Sequence, residues 1–122
     1  MLDLITPIDI IEQEALEIQE FLEKPVPENP ALIDHHGNKV AVYMARTTKL
    51  LADAKYHQDV EMSKVIKKID KVLPPSVMNR LVKSETQYEN YLVNLLERQN
   101  STCTHRLDWC RTMVSKHKQE RR

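Results

Sequence analysis

Apolar residues in this chain recur at intervals of three and four, in three runs separated by prolines. The first run is Leu4, Ile8, Ile11, Ala15, Ile18 and Leu22, one stripe of a helix. Thr6 is a good N-cap and Pro7 suits the first helical position, so the spacing predicts a helix starting there. Lys24-Pro25-Val26-Pro27-Glu28 breaks it. The second run passes through Ile33, Gly37, Val40, Met44, Thr47, Leu51, Ala54, Gln58, Met62, Val65, Ile69 and Val72. Asn29 and Pro30 supply its cap and first turn. It predicts a helix to about residue 71, weakest near His57–Asp59, where the stripe turns polar. Leu73-Pro74-Pro75 ends it, because proline cannot continue the hydrogen-bond ladder. Ser76 is a candidate cap for a short helix over about residues 77–83. A last helix follows from about Ser84 to Gln119, with Leu92, Leu96, Asn100, Cys103, Leu107, Cys110 and Val114 as its stripe.

Two long helices joined by a short connection are expected to fold back on each other. Pairing across that connection sets position i opposite roughly 160 − i. Leu51 then meets Trp109, and Gln58 falls near Asn100 and Thr102 in a shared polar layer that specifies register. The expected fold is all-α: a long antiparallel, coiled-coil-like helical hairpin over 28–122, preceded by an acidic helix and Pro-rich linker over 1–27.

Composition agrees. One glycine and six prolines in 122 residues leave too few turn residues for a β fold. No run approaches the 18 apolar residues of a membrane span. Met1-Leu2-Asp3-Leu4-Ile5 lacks the positive start of a secretory signal. Cys103 and Cys110 would lie about 10.5 Å apart on one helix, beyond disulfide reach. A reducing cytosol is the expected setting.

Charge changes the picture most. Residues 1–34 carry nine acids and one base, and residues 35–122 carry seventeen bases and nine acids, so the net charge of zero joins −8 to +8. The acidic face is Glu14, Glu17, Glu20 and Glu23, at i,i+3 spacing. The basic residues form a ladder, Lys64, Lys67, Lys68 and Lys71, continued by Arg80 and Lys83. A basic terminus follows, with Arg106, Arg111, Lys116, Lys118, Arg121 and Arg122. The folded-back geometry lays the acidic helix against that terminus, unless the helix docks on another chain. Lysines at a helix C-terminus complement its dipole, and they also suit sequence-nonspecific phosphate contact.

Candidate chemistry is sparse. Cys103, Cys110 and His117 form a line about 21 Å long, which cannot converge on one zinc. His35-His36-Gly37-Asn38 reads as a solvated first turn, with Gly37 placed for close approach of another helix. Trp109, Tyr88 and Tyr91 read as packing residues rather than a base-stacking platform. With one glycine there is no phosphate-cradling loop, no dinucleotide fingerprint, no G-x-S-x-G and no H-E-x-x-H. No catalytic residue, metal or cofactor is expected.

Two stretches carry a resemblance. Tyr43-Met44-Ala45-Arg46-Thr47 with Leu51-Ala52-Asp53-Ala54-Lys55-Tyr56-His57 is one. The other runs from Tyr91-Leu92-Val93 through Glu97-Arg98-Gln99-Asn100 to Thr104-His105-Arg106-Leu107-Asp108-Trp109-Cys110-Arg111-Thr112-Met113-Val114-Ser115-Lys116. Over most of residues 28–119 the chain resembles small helical proteins encoded by phages and prophages of gut bacteria. That resemblance implies a bacterial cytosol or a virion as the setting, and transfers no functional residue. The function expected is a non-enzymatic, self-associating binding protein of phage nucleic-acid metabolism, its basic surface modulated by the acidic helix. The alternatives are an inhibitor of a host nuclease or defence protein, or a structural or scaffolding piece of the virion.

Overall fold

A computed structural model describes residues 4–120; Asp3 of the acidic segment, and Arg121 and Arg122 of the basic terminus, lie outside it. The fold is all-α, with four helices: α1 (Ile8–Glu23), α2 (Pro30–Lys68), α3 (Pro75–Glu85) and α4 (Gln87–Glu120). Asn29 caps α2 as expected, its side chain accepting from the Ala31 amide at 2.9 Å. The start of α1 differs. Pro7 is the capping residue, and its carbonyl accepts from the amides of Ile10 and Ile11. Thr6 does not cap, because its hydroxyl and amide both donate to Asp53 Oδ2, at 2.7 and 2.9 Å.

α2 runs unbroken for 39 residues, about 58 Å at 1.5 Å per residue. The polar positions His57 and Gln58 do not weaken it, since each finds a partner, and Asp59 faces solvent. His57 Nε2 pairs with the Thr6 carbonyl at 2.8 Å, and Gln58 donates to Asn90 at 2.6 Å. The helix stops at Lys68, three residues short of the expected end, leaving Lys71 in the link to α3. α3 starts at Pro75 without a side-chain cap, so Ser76 lies inside it. Thr86 then interrupts the chain between α3 and α4: its amide and hydroxyl both donate to the Val82 carbonyl, and its own carbonyl accepts from Asn90. The last helix therefore begins at Gln87 rather than Ser84.

The most extensive packing is between α2 and α4. Gly37 lies against Cys110, Thr47 against Asn100 and Gln58 against Asn90, so position i faces roughly 147 − i and the helices run in opposite directions. This corrects the expected 160 − i. That register counted α3 as part of the turn, whereas α3 packs beside the end of α2, and Met62 and Ile66 share a groove with Met78 and Val82. The chain turns back at residues 69–74. Leu51 consequently does not meet Trp109, which lies instead beside Val26, Thr102, His105 and Arg106. The single shared polar layer becomes two: Gln58 with Asn90, and Asn100 with Thr47 and Thr48.

α1 lies in the groove between α2 and α4. Its contacts run against α2 (Thr6 with Asp53, Glu14 with Arg46, Phe21 with His36) and along α4 (Glu12 with Tyr88, Ala15 with Gln99, Leu22 with Arg106). Ile11, Ala15, Ile18, Phe21 and Leu22 are buried there with Val40, Leu50, Leu92, Leu96 and Cys103. Burying each large apolar side chain contributes about 1.5–3 kcal/mol, so apolar packing holds α1. Leu4, the first member of its stripe, is 70% exposed because the stripe outruns the helix. The expected packing role also fails for Tyr88, Tyr91 and Trp109, all of which are exposed; Phe21 is the aromatic that enters the core.

Candidate binding surfaces

The acidic face of α1 divides on folding. Glu14 stands three residues after Ile11 and four before Ile18, at the edge of the buried stripe, and forms a bidentate pair with Arg46 at 2.5 and 3.0 Å. This pair holds Arg46 even more basic than usual, through the Glu14 hydrogen bond above all. Glu12 accepts from the Tyr88 hydroxyl, which pushes that phenol up to about 12. Glu23 accepts only from Gln19 of its own helix, at 3.4 Å. Glu17 and Glu20 point outward with no partner among the described residues, beside Leu16, which is 59% exposed. The outward acidic surface is therefore Glu17, Glu20 and Glu23, with Glu14 drawn into the half-buried pair with Arg46.

The bases fall into two clusters at opposite ends of α2. Lys64, Lys67 and Lys68 occupy its last turns, Lys71 the link, and Arg80 and Lys83 the α3 helix folded beside them. Lys64 pairs with Glu61 at 3.0 Å. Lys67, Lys68, Lys71, Arg80 and Lys83 have no ion pair among the described residues. Beside this cluster runs an open groove of about 580 Å³, lined by Gln58, Asp59, Asn79, Lys83, Thr86, Asn90 and Asn94 over Met62, Ile66, Met78 and Val82. The second cluster, Arg111, Lys116 and Lys118, stands near the start of α2, where Arg111 and Lys118 line recesses shared with Asp34.

α1 covers neither cluster. With Thr6 just before it, α1 spans α2 from His36 to His57, the middle of the molecule, so the expected laying of acidic helix on basic terminus does not occur. Only Arg106, at the near edge of that terminus, is engaged. Its Nη2 donates 2.8 Å to the Leu22 carbonyl, a backbone acceptor at the end of α1 rather than a carboxylate. A helix C-terminus attracts a cation without needing an acid there.

The sequence reading missed the polar groups that seat α1. Asp53 is buried, a position that would raise its carboxyl; hydrogen bonds from Lys49 and from the Thr6 hydroxyl and amide hold it below the usual range. Gln99 is buried and donates to the Ala15 carbonyl at 2.9 Å. His36, expected in solvent, is only 9% exposed, stacked on Phe21 with ring centroids 5.1 Å apart. Burial first, then the charges of Arg106, Lys39 and His35, lowers its pKa. A signal for Gln99 and Arg106 was present: Leu92, Leu96, Gln99, Cys103, Arg106 and Cys110 keep 4-3-4-3-4 spacing, a second stripe on α4 that faces α1.

Cys103 and Cys110 are both buried and free, and burial pushes both thiols up against the opposing pull of Arg106. Among the described residues no three His, Cys, Asp or Glu side chains gather where they could hold a metal, and no helix is long and apolar enough to cross a membrane. Compared with protein-family models, curated proteins and solved structures, the chain has no significant match.

Proposed function

We propose that this chain is a non-enzymatic, self-associating binding protein that contacts nucleic acid through the basic end formed by α2, the link and α3. In this reading α2 and α4 form a long, coiled-coil-like antiparallel hairpin that α1 braces. The observation that carries it is that Lys67, Lys68, Lys71, Arg80 and Lys83 lie on three consecutive segments at one end of the molecule, without an acid paired to any of them among the described residues. A polyanion meeting this end releases counterions, which favours binding with no base-specific contact. The acidic helix modulates by field rather than by cover. Its outward carboxylates repel phosphate from the middle of the molecule, over a Debye length of about 10 Å at 0.1 M salt. The resemblance to phage-encoded helical proteins suits a role in phage nucleic-acid metabolism inside a bacterial host.

Binding of labelled DNA and RNA at about 50 mM salt tests this. The intact chain is expected to bind, with log affinity falling linearly against log salt. The triple variant Lys67→Glu, Lys68→Glu, Arg80→Glu is expected to lose at least about tenfold, the effect of some 1.4 kcal/mol. No binding by the intact chain at that salt would end the reading.

A second reading is favoured by one observation: Glu17 and Glu20 stand outward beside exposed Leu16 on a helix whose other face is fixed. Such a surface suits an inhibitor that occupies a basic site on a host nuclease or defence protein. Glu17→Lys with Glu20→Lys separates the two. Nucleic-acid affinity rises under the first reading, and inhibition disappears under the second.

A further inference from the structure

The groove beside the basic end is lined mainly by amides. Gln58 comes from α2, Asn79 from α3, and Asn90 and Asn94 from α4, with half-buried Met62 and Met78 among them. Its volume of about 580 Å³ falls in the range of about 300–1,000 Å³ usual for small-molecule sites. Part of the lining is already fixed. Gln58 donates to the Asn90 oxygen at 2.6 Å, and the Asn90 amide donates to the Thr86 hydroxyl at 3.2 Å. Asn79 and Asn94 are exposed and make no side-chain hydrogen bond among the described residues, so each keeps donors and an acceptor for a ligand.

Charge in and around the groove is mixed. Lys83 lines it from α3 and Asp59 from α2. Asp59, Glu61, Asp70 and Glu85 stand in the same stretch of chain as Lys64, Lys67, Lys68, Lys71, Arg80 and Lys83, four acids against six bases. That excess is a modest pull on phosphate. The groove offers a different kind of recognition.

We infer that the groove takes an unpaired base of a single-stranded nucleic acid whose phosphates lie along the basic end. This deepens the proposed function and rests on its nucleic-acid reading. A side-chain amide matches the neighbouring donor and acceptor on a base edge, whereas a phosphate only accepts. The Asp59 carboxylate accepts from the amino group of a base and repels phosphate. Lys83 does the reverse, so the pair sets which part of a nucleotide enters. Met62 and Met78, one from each of two packed helices, supply polarizable thioethers that adapt to an aromatic ring. A base in a duplex is stacked on both faces and enters only after unstacking and unpairing.

Fluorescence anisotropy on the full chain at about 50 mM salt tests this. The probes are one labelled sequence, as DNA and as RNA, offered as a single strand, as a duplex and as an abasic strand. The single strand is expected to bind at least tenfold more tightly than the abasic strand of equal charge, and more tightly than the duplex. Asn79→Ala with Asn94→Ala is expected to close most of the gap between intact and abasic strands, with wild-type helicity by circular dichroism. Equal binding of intact and abasic strands, a preference for duplex, or a gap that persists in the double variant overturns the base-binding groove alone. Failure of every probe to bind ends the reading of the basic end, and this inference with it.

Discussion

At the scale of single residues, the burial of polar groups decides what this chain does with pH and with thiol reagents. The lowered pKa of His36 means that the folded protein favours the neutral ring. Its share of stability is then complete above the ordinary value of 6.5 and is lost as pH falls from there through the folded value. Denaturant melts at pH 7.5 and pH 5 are expected to show a larger loss for the wild type than for His36→Leu; equal losses would contradict the burial of that ring. Cys103 and Cys110 should react with an aromatic disulfide reagent only as fast as the protein opens, because their thiols are buried and held protonated. Rapid modification of the native protein would mean that α4 is not seated as described. The sequence offered little warning of the buried histidine. Adjacent histidines at a helix start suit solvent equally well, and the stacking partner Phe21 lies in a different helix.

At the scale of elements, periodicity made the helices legible, and the breakers made their ends nearly so. The Asn29 cap acts as its chemistry dictates, whereas Pro74-Pro75 opens α3 and α2 has already ended at Lys68. Where the reading failed, a long-range partner had taken a local residue away. Thr6 has the right side chain for a cap, yet Asp53 binds it. α4 has two overlapping stripes because it packs on two helices, and a reading that seeks one stripe keeps Asn100 and drops Gln99. The register error has the same origin: helical periodicity repeats identically at every turn and cannot say which residues form the bend. Two outcomes belong here. Ile18→Ala removes a fully buried side chain between α1 and the other helices, and should cost about 2–5 kcal/mol in equilibrium unfolding. Asp53→Asn should flatten the acid limb of stability. The depressed carboxyl contributes above the ordinary aspartate range, and that contribution disappears as pH falls through its folded value. Hydrogen exchange of the first turns of α1 should quicken in the same variant.

At the scale of the whole molecule, the separation of charge along the sequence survives folding almost intact. Nine acids in residues 1–34 face seventeen bases beyond, yet one bidentate contact, Glu14 with Arg46, is the only ion pair between α1 and the rest of the described chain. α1 is held by Ile11, Ile18, Phe21 and Leu22, and its seating owes little to attraction between the charged segments. Both charge sets therefore remain available to partners. For the same reason, deleting residues 1–27 would expose an apolar groove and tells nothing clean about binding, whereas surface reversals at Glu17 and Glu20 leave the core untouched.

Everything proposed for the two surfaces depends on α1 lying in the groove of its own chain. The most direct measurement is an isotope-filtered nuclear Overhauser experiment on a mixture of labelled and unlabelled protein. Cross-peaks between the Phe21 and His36 rings, and between the Gln99 side-chain amide and the Ala15 methyl, are expected within one labelled chain and absent from the filtered, between-chain spectrum. The same cross-peaks appearing only between labelled and unlabelled chains, or not at all, would contradict the account.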